Sequence, residues 1–560
     1  MNIAGLSYFM HDSSVSLLNN GVPVFSAAEE RFNEEKRSWA YPSRALEACL
    51  NYSSFGLRDI DCFCLNFDPG MLFRKRSLLG NAAFFPKSYR AFYDDMLLSL
   101  FSYLKIARLR VGLRPRKLVY IEHHNCHAAA SFFTSPFEDS AILVLDGFGE
   151  YATGLLAFGN GPHIKTINKI LYPHSIGLLY LSITTFLGFD FYGEGKVMAL
   201  AAYGRPEYYD IFKKMIHLVP GGRFKLDLSY FDFHLNGFYN FFSSKFYHEM
   251  GLPRSEGEPV EERHKNIASS LQKRLTDVLM HAASYLKEKS RSENLVLGGG
   301  VALNCVANGE LQASGIFKNI FVPASPDDGG SSLGAALYFW HCLLGKSRKS
   351  LHPTVYLGPE IADTEAERIL SGGRFDFKKD PEIEKTVAGL LAKGNVIAWC
   401  QGRMEFSPRA LGNRSILADP RVPGMKDRLN RQVKFREDFR PFGAIVLNEH
   451  WSQFFSPPRS SDMMMAVYSV KEDKKRIIPS VVHVDGSTRL QIIDPENNPK
   501  ICRVLNEFFR LTGVPLLINT SFNTRGKPIV NSVEQALRCF EGSFIDYLVL
   551  GDYLISKKDG

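Results

Sequence analysis

The sequence predicts an α/β chain, with a first part made of two duplicated halves around a cleft and then a second α/β domain. Three observations carry the prediction. An apolar strand, a polar turn and a second apolar strand open the chain, and the pattern returns at AILVLDGFGEYATGLLAF, residues 141 to 158. A strand-like run, NLVL, ends in Gly298, Gly299 and Gly300 before a helical pattern, the strand-to-helix turn of a nucleotide-binding α/β unit. At 345 to 365, GKSRKSLHPTVYLGPEIADTE interrupts two helical patterns with basic residues, prolines and glycines, so domains are expected at 1–350 and 351–560.

Composition narrows the function. At 560 residues the chain is too long for one core, and 45% hydrophobic with 22% charged residues is globular. The 67 Lys and Arg exceed the 59 Asp and Glu by a formal +8 that is spread along the chain. That balance suits phosphorylated small molecules better than a nucleic-acid groove, so no nucleic-acid partner is expected. Nine scattered cysteines, of which Cys62 and Cys64 are the only close pair, read as reduced thiols of a cytoplasmic protein. The N-terminus reads as a strand and not as a signal peptide, and runs such as IGLLYLSITTFLGF fall short of the ~20 residues that span a bilayer, so no membrane partner is expected.

The opening hairpin runs from NIAGLSY through a polar turn with His11, Asp12 and Ser13 to SVSLL, an Asn-Asn-Gly turn and VPVFSAA. The first turn either faces an anion or is simply a turn. Lys36 and Arg37 precede a helix expected from about Ser43, and 70 to 116, rich in Phe, Leu and Arg, is expected to form helices that decorate the first domain. Then LVYIEHHNCHAAASFF, residues 118 to 133, places His123 and His127 four apart at a helix start, on one helix face where both can reach one cation. Asp146 ends the buried strand that follows, as a candidate third ligand.

FYGEGKVMALAAYG sets glycines and Lys196 before a helical run, short of the phosphate-loop spacing. The aromatic stretch 206 to 265 reads either as an acceptor pocket or as lid packing. A long amphipathic helix from about Lys265 to Lys289 leads to the glycine triplet and Asn304, and NIFVPASPDDGGSSLGAALYFW adds a strand, an acidic turn with Asp327 and Asp328, and a helix of small residues. Beyond the boundary, Arg409, Arg414, Lys434 and Arg440 are interleaved with apolar positions, as in a site for a small phosphorylated anion. Arg489 at a polar turn and Asn519, Ser521 and Asn523 at a strand end add polar groups, and DYLVLGDYLISKK closes the chain as a hairpin.

Taken in order, HDSS, AEERF, HHNCHAAA, LDGFGE, GKVMALAAYG, GGGVALN, DDGGSSLGAA, FSPRALGNRSILADPR, RPFGAIVL, HVDGSTR and NTSFNTRGKPIV resemble the O-carbamoyltransferases of the NodU type, from antibiotic and nodulation-factor biosynthesis. The resemblance implies a domain like the TsaD threonylcarbamoyl transferases, of the actin, Hsc70 and sugar-kinase superfamily, followed by a YrdC-like domain. It implies metal ligation by His123, His127, Asp146 and Asp328, with Fe2+ first and Mn2+ or Zn2+ as alternatives. It implies ATP and carbamoyl phosphate as substrates, with Mg2+.

In the TsaD-like site it implies ATP or carbamoyl-adenylate contacts at Asp12, Lys36, Lys196, Gly298, Gly299, Gly300 and Asn304. His11 would stand beside the reacting group. In the YrdC-like site it implies carbamoyl-phosphate and ATP contacts at Arg409, Arg414, Lys434, Arg440, Arg489, Asn519 and Ser521. The expected activity forms carbamoyl adenylate and pyrophosphate, then carbamoylates a hydroxyl of a small-molecule acceptor. Alternatives are a threonylcarbamoyl-type tRNA modification enzyme, a metallohydrolase built on HxxxH, and a non-catalytic nucleotide-binding protein of the actin superfamily.

Overall fold

The structure is a computed structural model that describes residues 1–8, 10–68, 70–71, 118–236, 240–348, 354–456 and 462–558. The helices expected at 70 to 116 lie, from 72 onward, outside the described residues. The chain divides into two compact units: Met1–Val24, Trp39–Pro42 and Ser54–His352 form one, and Phe25–Ser38, Ser43–Ser53 and Pro353–Gly560 form the other. The second unit thus takes in two N-terminal segments that the sequence boundary assigns to the first. Arg31 donates to the Ser407 carbonyl at 2.9 Å, and Glu29 accepts from the Ala45 amide at 2.8 Å.

Residues 2 to 321 supply two five-stranded sheets. One is ordered β3-β2-β1-β4-β5, from β1 (Asn2–Ser7), β2 (Ser14–Asn19), β3 (Val22–Ala28), β4 (Cys62–Leu65) and β5 (Leu118–Tyr120). Asn20 and Gly21, at φ 49° and 86°, turn β2 into β3 with the left-handed backbone that an Asn-Gly hairpin supplies. The other has β6 (Asp139–Leu145), β7 (Ala152–Asn160), β8 (His163–Leu171), β11 (Asn294–Gly298) and β12 (Asn319–Phe321), in the order β8-β7-β6-β11-β12. In each, the first strand pairs antiparallel with the second and parallel with the fourth, and the fourth pairs parallel with the fifth. The duplicated halves expected from the two hairpins are therefore one topology used twice.

Four helices position the site: α1 (His123–Phe133), α2 (Glu262–Ser290), α3 (Cys305–Ala313) and α4 (Asp328–Tyr338). Small residues let α1 and α4 approach at backbone distance: a Cβ on Gly334 would stand 1.9 Å from the Cys126 carbonyl oxygen. The run GGSSLGAA thereby brings Asp328, at the start of α4, to the histidines at the start of α1.

The aromatic stretch after residue 206 carries the ribbon β9 (Ile216–Val219) and β10 (Arg223–Leu226), and its rings pack inward. Phe231, Phe233, Phe242 and Phe246 are buried, and Phe242 stacks on Phe246 with centroids 3.8 Å apart. For these four rings the structure shows packing.

The second unit is built on one nine-stranded mixed sheet, ordered β13-β21-β20-β14-β15-β19-β16-β18-β17. Its strands are β13 (Asp376–Lys379), β14 (Ile397–Cys400), β15 (Arg414–Ala418), β16 (Gly443–Leu447), β17 (Met463–Ser469), β18 (Ser487–Ile493), β19 (Leu516–Ser521), β20 (Tyr547–Leu550) and β21 (Tyr553–Ser556). The central strands read as continuous apolar runs, IAWC, GAIVL and LLIN, because both faces are covered. All nine cysteines are free thiols. Among the described residues no helix is long and apolar enough to cross a membrane.

Candidate metal centre and anion site

His123 and His127 sit one turn apart at the start of α1, Asp146 follows the end of β6, and Asp328 opens α4. The four side chains converge, with one potential ligand atom from each and all four atoms within 4.8 Å of one another. His123 Nε2 lies 3.0 Å from His127 Nε2, 3.1 Å from Asp146 Oδ2 and 3.4 Å from Asp328 Oδ1. His127 Nε2 lies 3.4 Å and 3.3 Å from the same two oxygens. Donors that share one ion through bonds of ~2.0–2.2 Å are spaced in this way.

The residues around the cluster fit a cation. His123 Nδ1 faces the Asn66 carbonyl at 3.3 Å, which holds the proton on Nδ1 and turns the Nε2 lone pair inward. Asp328 Oδ2 is buried and makes no hydrogen bond to the described residues. Burial works against every charge here, yet the opposed charges prevail. Asp328 and Asp146 hold His123 well above the usual imidazole range, and the two histidines hold Asp146 well below the usual carboxyl range. Two imidazoles with two carboxylates suit iron(II), manganese or zinc.

Asp327, flagged in the same turn, accepts from Ser325 Oγ at 2.7 Å, and burial with Asp12 nearby pushes its carboxyl up to about 6. Burial holds His124 well below the usual imidazole range. Sequence reasoning missed Glu150. It is buried and accepts the amides of His123 at 3.0 Å and Asp68 at 2.7 Å, capping the ligand helix. It ends the LDGFGE motif, so the signal was present without a role attached.

His11 stands on the Asp328 side, its Nε2 3.9 Å from Asp328 Oδ2. Asp12 Oδ2 is 2.7 Å from His11 Nδ1, and because a carboxylate only accepts, the proton sits on Nδ1 and Nε2 is the basic nitrogen. The glycine triplet stands on the Asp146 side, where the Gly300 amide donates to Asp146 Oδ1 at 2.9 Å. Gly299, at φ 82°, passes so close to β6 that a Cβ would stand 2.2 Å from the Leu145 carbonyl oxygen. Gly298 ends β11 and packs against Ser131. Asn304 caps α3 through the Ala307 amide at 3.0 Å and pairs with Gln272. Lys196 pairs with Asp190 at 2.7 Å.

Lys36 belongs to the second unit, among its cations. Desolvation of the ammonium, on a residue that is exposed as a whole, draws Lys36 down, with Glu30 opposing and Arg440 and Arg31 adding to the shift. Burial also holds Lys434 well below the lysine range, helped by Arg436, Lys36 and Arg440, while Lys434 Nζ donates to the carbonyls of Ser521 and Asn523, each at 2.8 Å. Arg436, which the sequence reading passed over, is drawn down by burial together with Arg440, Arg489 and Arg409, and its guanidinium lies 4.4 Å over the Phe442 ring. Arg489 Nε is buried with no hydrogen bond to the described residues. Cations that depress one another in this way suit an anion.

Arg414 is different. Its terminal nitrogens donate to the carbonyls of Gln401 at 2.6 Å, Asn413 and Gly402 at 3.1 Å, and Pro359 at 3.4 Å, so its guanidinium ties loops together. Asn519 donates to Gln491 Oε1 at 2.8 Å and keeps a buried Oδ1 without a partner among the described residues. Ser521 Oγ donates to Asn523 Oδ1 at 2.7 Å.

The repeated strand order agrees with the actin-, Hsc70- and sugar-kinase-like fold expected of the first part, and a second α/β unit follows. Residues 2–337 match the Carbamoyltransferase N-terminus and residues 388–557 the Carbamoyltransferase C-terminus, so the chain belongs to the carbamoyltransferase family. An uncharacterized protein of Synechocystis is 38% identical, covering 99% of this chain and 97% of its own length. Nodulation protein NolNO of Sinorhizobium fredii is 37% identical over 98% of this chain and 79% of its own. Among solved structures, the activator of the 2-hydroxyisocaproyl-CoA dehydratase from Clostridium difficile covers 62% of this chain and all of its own, at 16% identity and a TM-score of 0.33.

Proposed function

We propose that the protein is an ATP-dependent O-carbamoyltransferase that works through carbamoyl adenylate. The observation that carries this is one chain with both a two-His, two-Asp cluster and, in its other unit, a buried Lys434 among half-buried arginines.

In the first half-reaction, water cleaves carbamoyl phosphate to carbamate and phosphate. A carbamate oxygen then attacks the α-phosphorus of ATP, and pyrophosphate leaves. Arg409, Lys434, Arg436, Arg440 and Arg489 neutralise the phosphate charge, and cations already fixed in place act without reorganising. Lys36 belongs to this group, and Arg414 supports it by holding the loop.

In the second half-reaction, the acceptor hydroxyl attacks the carbamoyl carbon and AMP leaves. His11 Nε2 takes the hydroxyl proton, with Asp12 holding its tautomer. The glycine triplet offers backbone room for the adenylate, and the Gly300 amide keeps Asp146 oriented. His123, His127, Asp146 and Asp328 would hold a divalent metal, iron(II) before manganese or zinc, which when bound supplies Lewis acidity toward an acyl oxygen.

The test is to supply ATP, carbamoyl phosphate and hydroxylated acceptors and to follow pyrophosphate and carbamoylated product together. ATP cleavage to ADP that ignores carbamoyl phosphate would sink the reading in favour of a nucleotide-binding protein of the superfamily.

A further inference from the structure

The aromatic rings after residue 206 that pack with Phe242 and Phe246 are core, but another group of rings beside His11 has two exposed members and one half-buried one. Trp39 is 53% exposed and lies 6.2 Å from the His11 ring. The Tyr192 ring lies 4.6 Å from His11, edge-on, and Phe191, 42% exposed, lies 4.5 Å from Tyr192. Trp399 is fully buried and Trp340 nearly so, whereas the Trp39 indole beside His11 leaves much of its surface to solvent.

The loop that carries two of these rings is held rigidly. Lys196 Nζ pairs with Asp190 at 2.7 Å, the Gly193 amide closes back on the Asp190 carbonyl at 2.8 Å, and the Lys196 amide donates to the Gly193 carbonyl at 2.7 Å. Between them Tyr192 is forced to φ 67°, a left-handed backbone that costs a bulky residue energy and that collects at ligand sites. The ion pair that Lys196 makes thus supports the presentation of Phe191 and Tyr192.

The cluster of possible metal ligands has two sides. Asp146 Oδ1 faces the glycine triplet, where backbone approach suits a nucleotide. Asp328 Oδ2 faces His11 and, beyond it, the rings. The attacking hydroxyl must come from the side of the base.

We propose that Trp39, Phe191 and Tyr192 form the acceptor platform: they stack the apolar face of a ring-bearing alcohol, such as a pyranose, so that one of its hydroxyls meets His11 Nε2. The assignment rests on the carbamoyltransferase reading and adds the residues that select the acceptor. A rigid ring with an axial C–H face stacks on an indole, and an open-chain polyol of similar hydroxyl content has no such face.

The test compares methyl glucopyranoside, methyl galactopyranoside and methyl mannopyranoside with open-chain glucitol as acceptors, with ATP and carbamoyl phosphate present and pyrophosphate followed in parallel. Pyranosides are carbamoylated in preference to glucitol. Trp39→Ala raises the pyranoside KM about tenfold, the loss of one stacking contact, with a smaller change in kcat, and Trp39→Phe recovers most of it. Phe191→Ala moves KM the same way.

Glucitol used as well as the pyranosides, an unchanged KM in both alanine variants, or a Trp39→Ala defect in the KM for ATP instead of the acceptor would overturn the platform. Pyrophosphate release with no pyranoside carbamoylated would overturn it as well, and would leave the carbamoyltransferase reading standing. Loss of carbamoyl-phosphate-dependent pyrophosphate release in the wild type would overturn that broader reading.

Discussion

The Gly300 amide donates to Asp146 Oδ1 at 2.9 Å, while Oδ2 of the same carboxylate lies 3.1 Å from His123 Nε2. One carboxylate therefore links the glycine turn to the ligand cluster, one oxygen to each. The link depends on Gly299, whose φ of 82° and closeness to the Leu145 carbonyl admit no side chain. Gly299→Ala is expected to shift the turn and lower divalent-metal affinity about 10- to 100-fold, as loss of an outer-shell contact does. Metal titration with circular dichroism as the fold control checks this, and wild-type affinity in the variant would contradict it.

On the proposed mechanism the two units divide the chemistry. His127→Ala removes a candidate ligand without touching the second unit's cations, so carbamoyl transfer is expected to fall by at least about 10³-fold while pyrophosphate release persists. Arg440→Ala is expected to abolish pyrophosphate release. Parallel assays of the two products check the division, and equal loss of pyrophosphate release in both variants would contradict it.

Lys434 gives a pH dependence of definite sign. Burial and the cations around it hold its pKa well below the lysine range, so near that lowered pKa the folded protein binds fewer protons than the unfolded chain. Stability of the ligand-free protein therefore rises with pH from the lowered pKa up to the ordinary lysine value of about 10.5. An anion favours the protonated amine, so pyrophosphate binding is expected to take up protons in this window and to weaken as pH rises through it. Calorimetry in buffers of different ionisation enthalpy checks both signs.

Glu405 organises the loop around Arg409. Its buried Oε1 accepts the amides of Leu411 at 2.6 Å, Arg414 at 3.2 Å and Asn413 at 3.4 Å. Glu405→Ala leaves these donors without a partner, with an expected loss of about 2–4 kcal/mol in denaturant unfolding.

The sequence made the elements legible wherever spacing dictates them. The HxxxH pair, the strand-terminal Asp146 and the acidic turn at Asp328 lie 205 positions apart at their extremes, 123 to 328, and the structure gathers them because each sits near the end of an element and these ends meet. How a side chain is employed was not legible. Arg414 and Arg436 look alike in sequence, yet one guanidinium ties carbonyls and the other lies among cations, a difference that only loop closure decides. Lys36 reads as part of the first domain because 25 to 38 precedes any visible boundary, and the packing of that segment with the second unit is a long-range fact. Glu150 acts through backbone amides, which no side-chain pattern advertises.

The central claim is that this chain makes carbamoyl adenylate and delivers its carbamoyl group to a hydroxyl. The most direct measurement incubates the purified protein with ATP, isotopically labelled carbamoyl phosphate and a pyranoside acceptor, then quantifies pyrophosphate, AMP and labelled acceptor together. The account predicts one pyrophosphate and one AMP for each carbamoyl group transferred, and none of the three when carbamoyl phosphate is left out. Labelled acceptor formed without ATP, or ATP turned over to ADP and phosphate with no pyrophosphate, would contradict it.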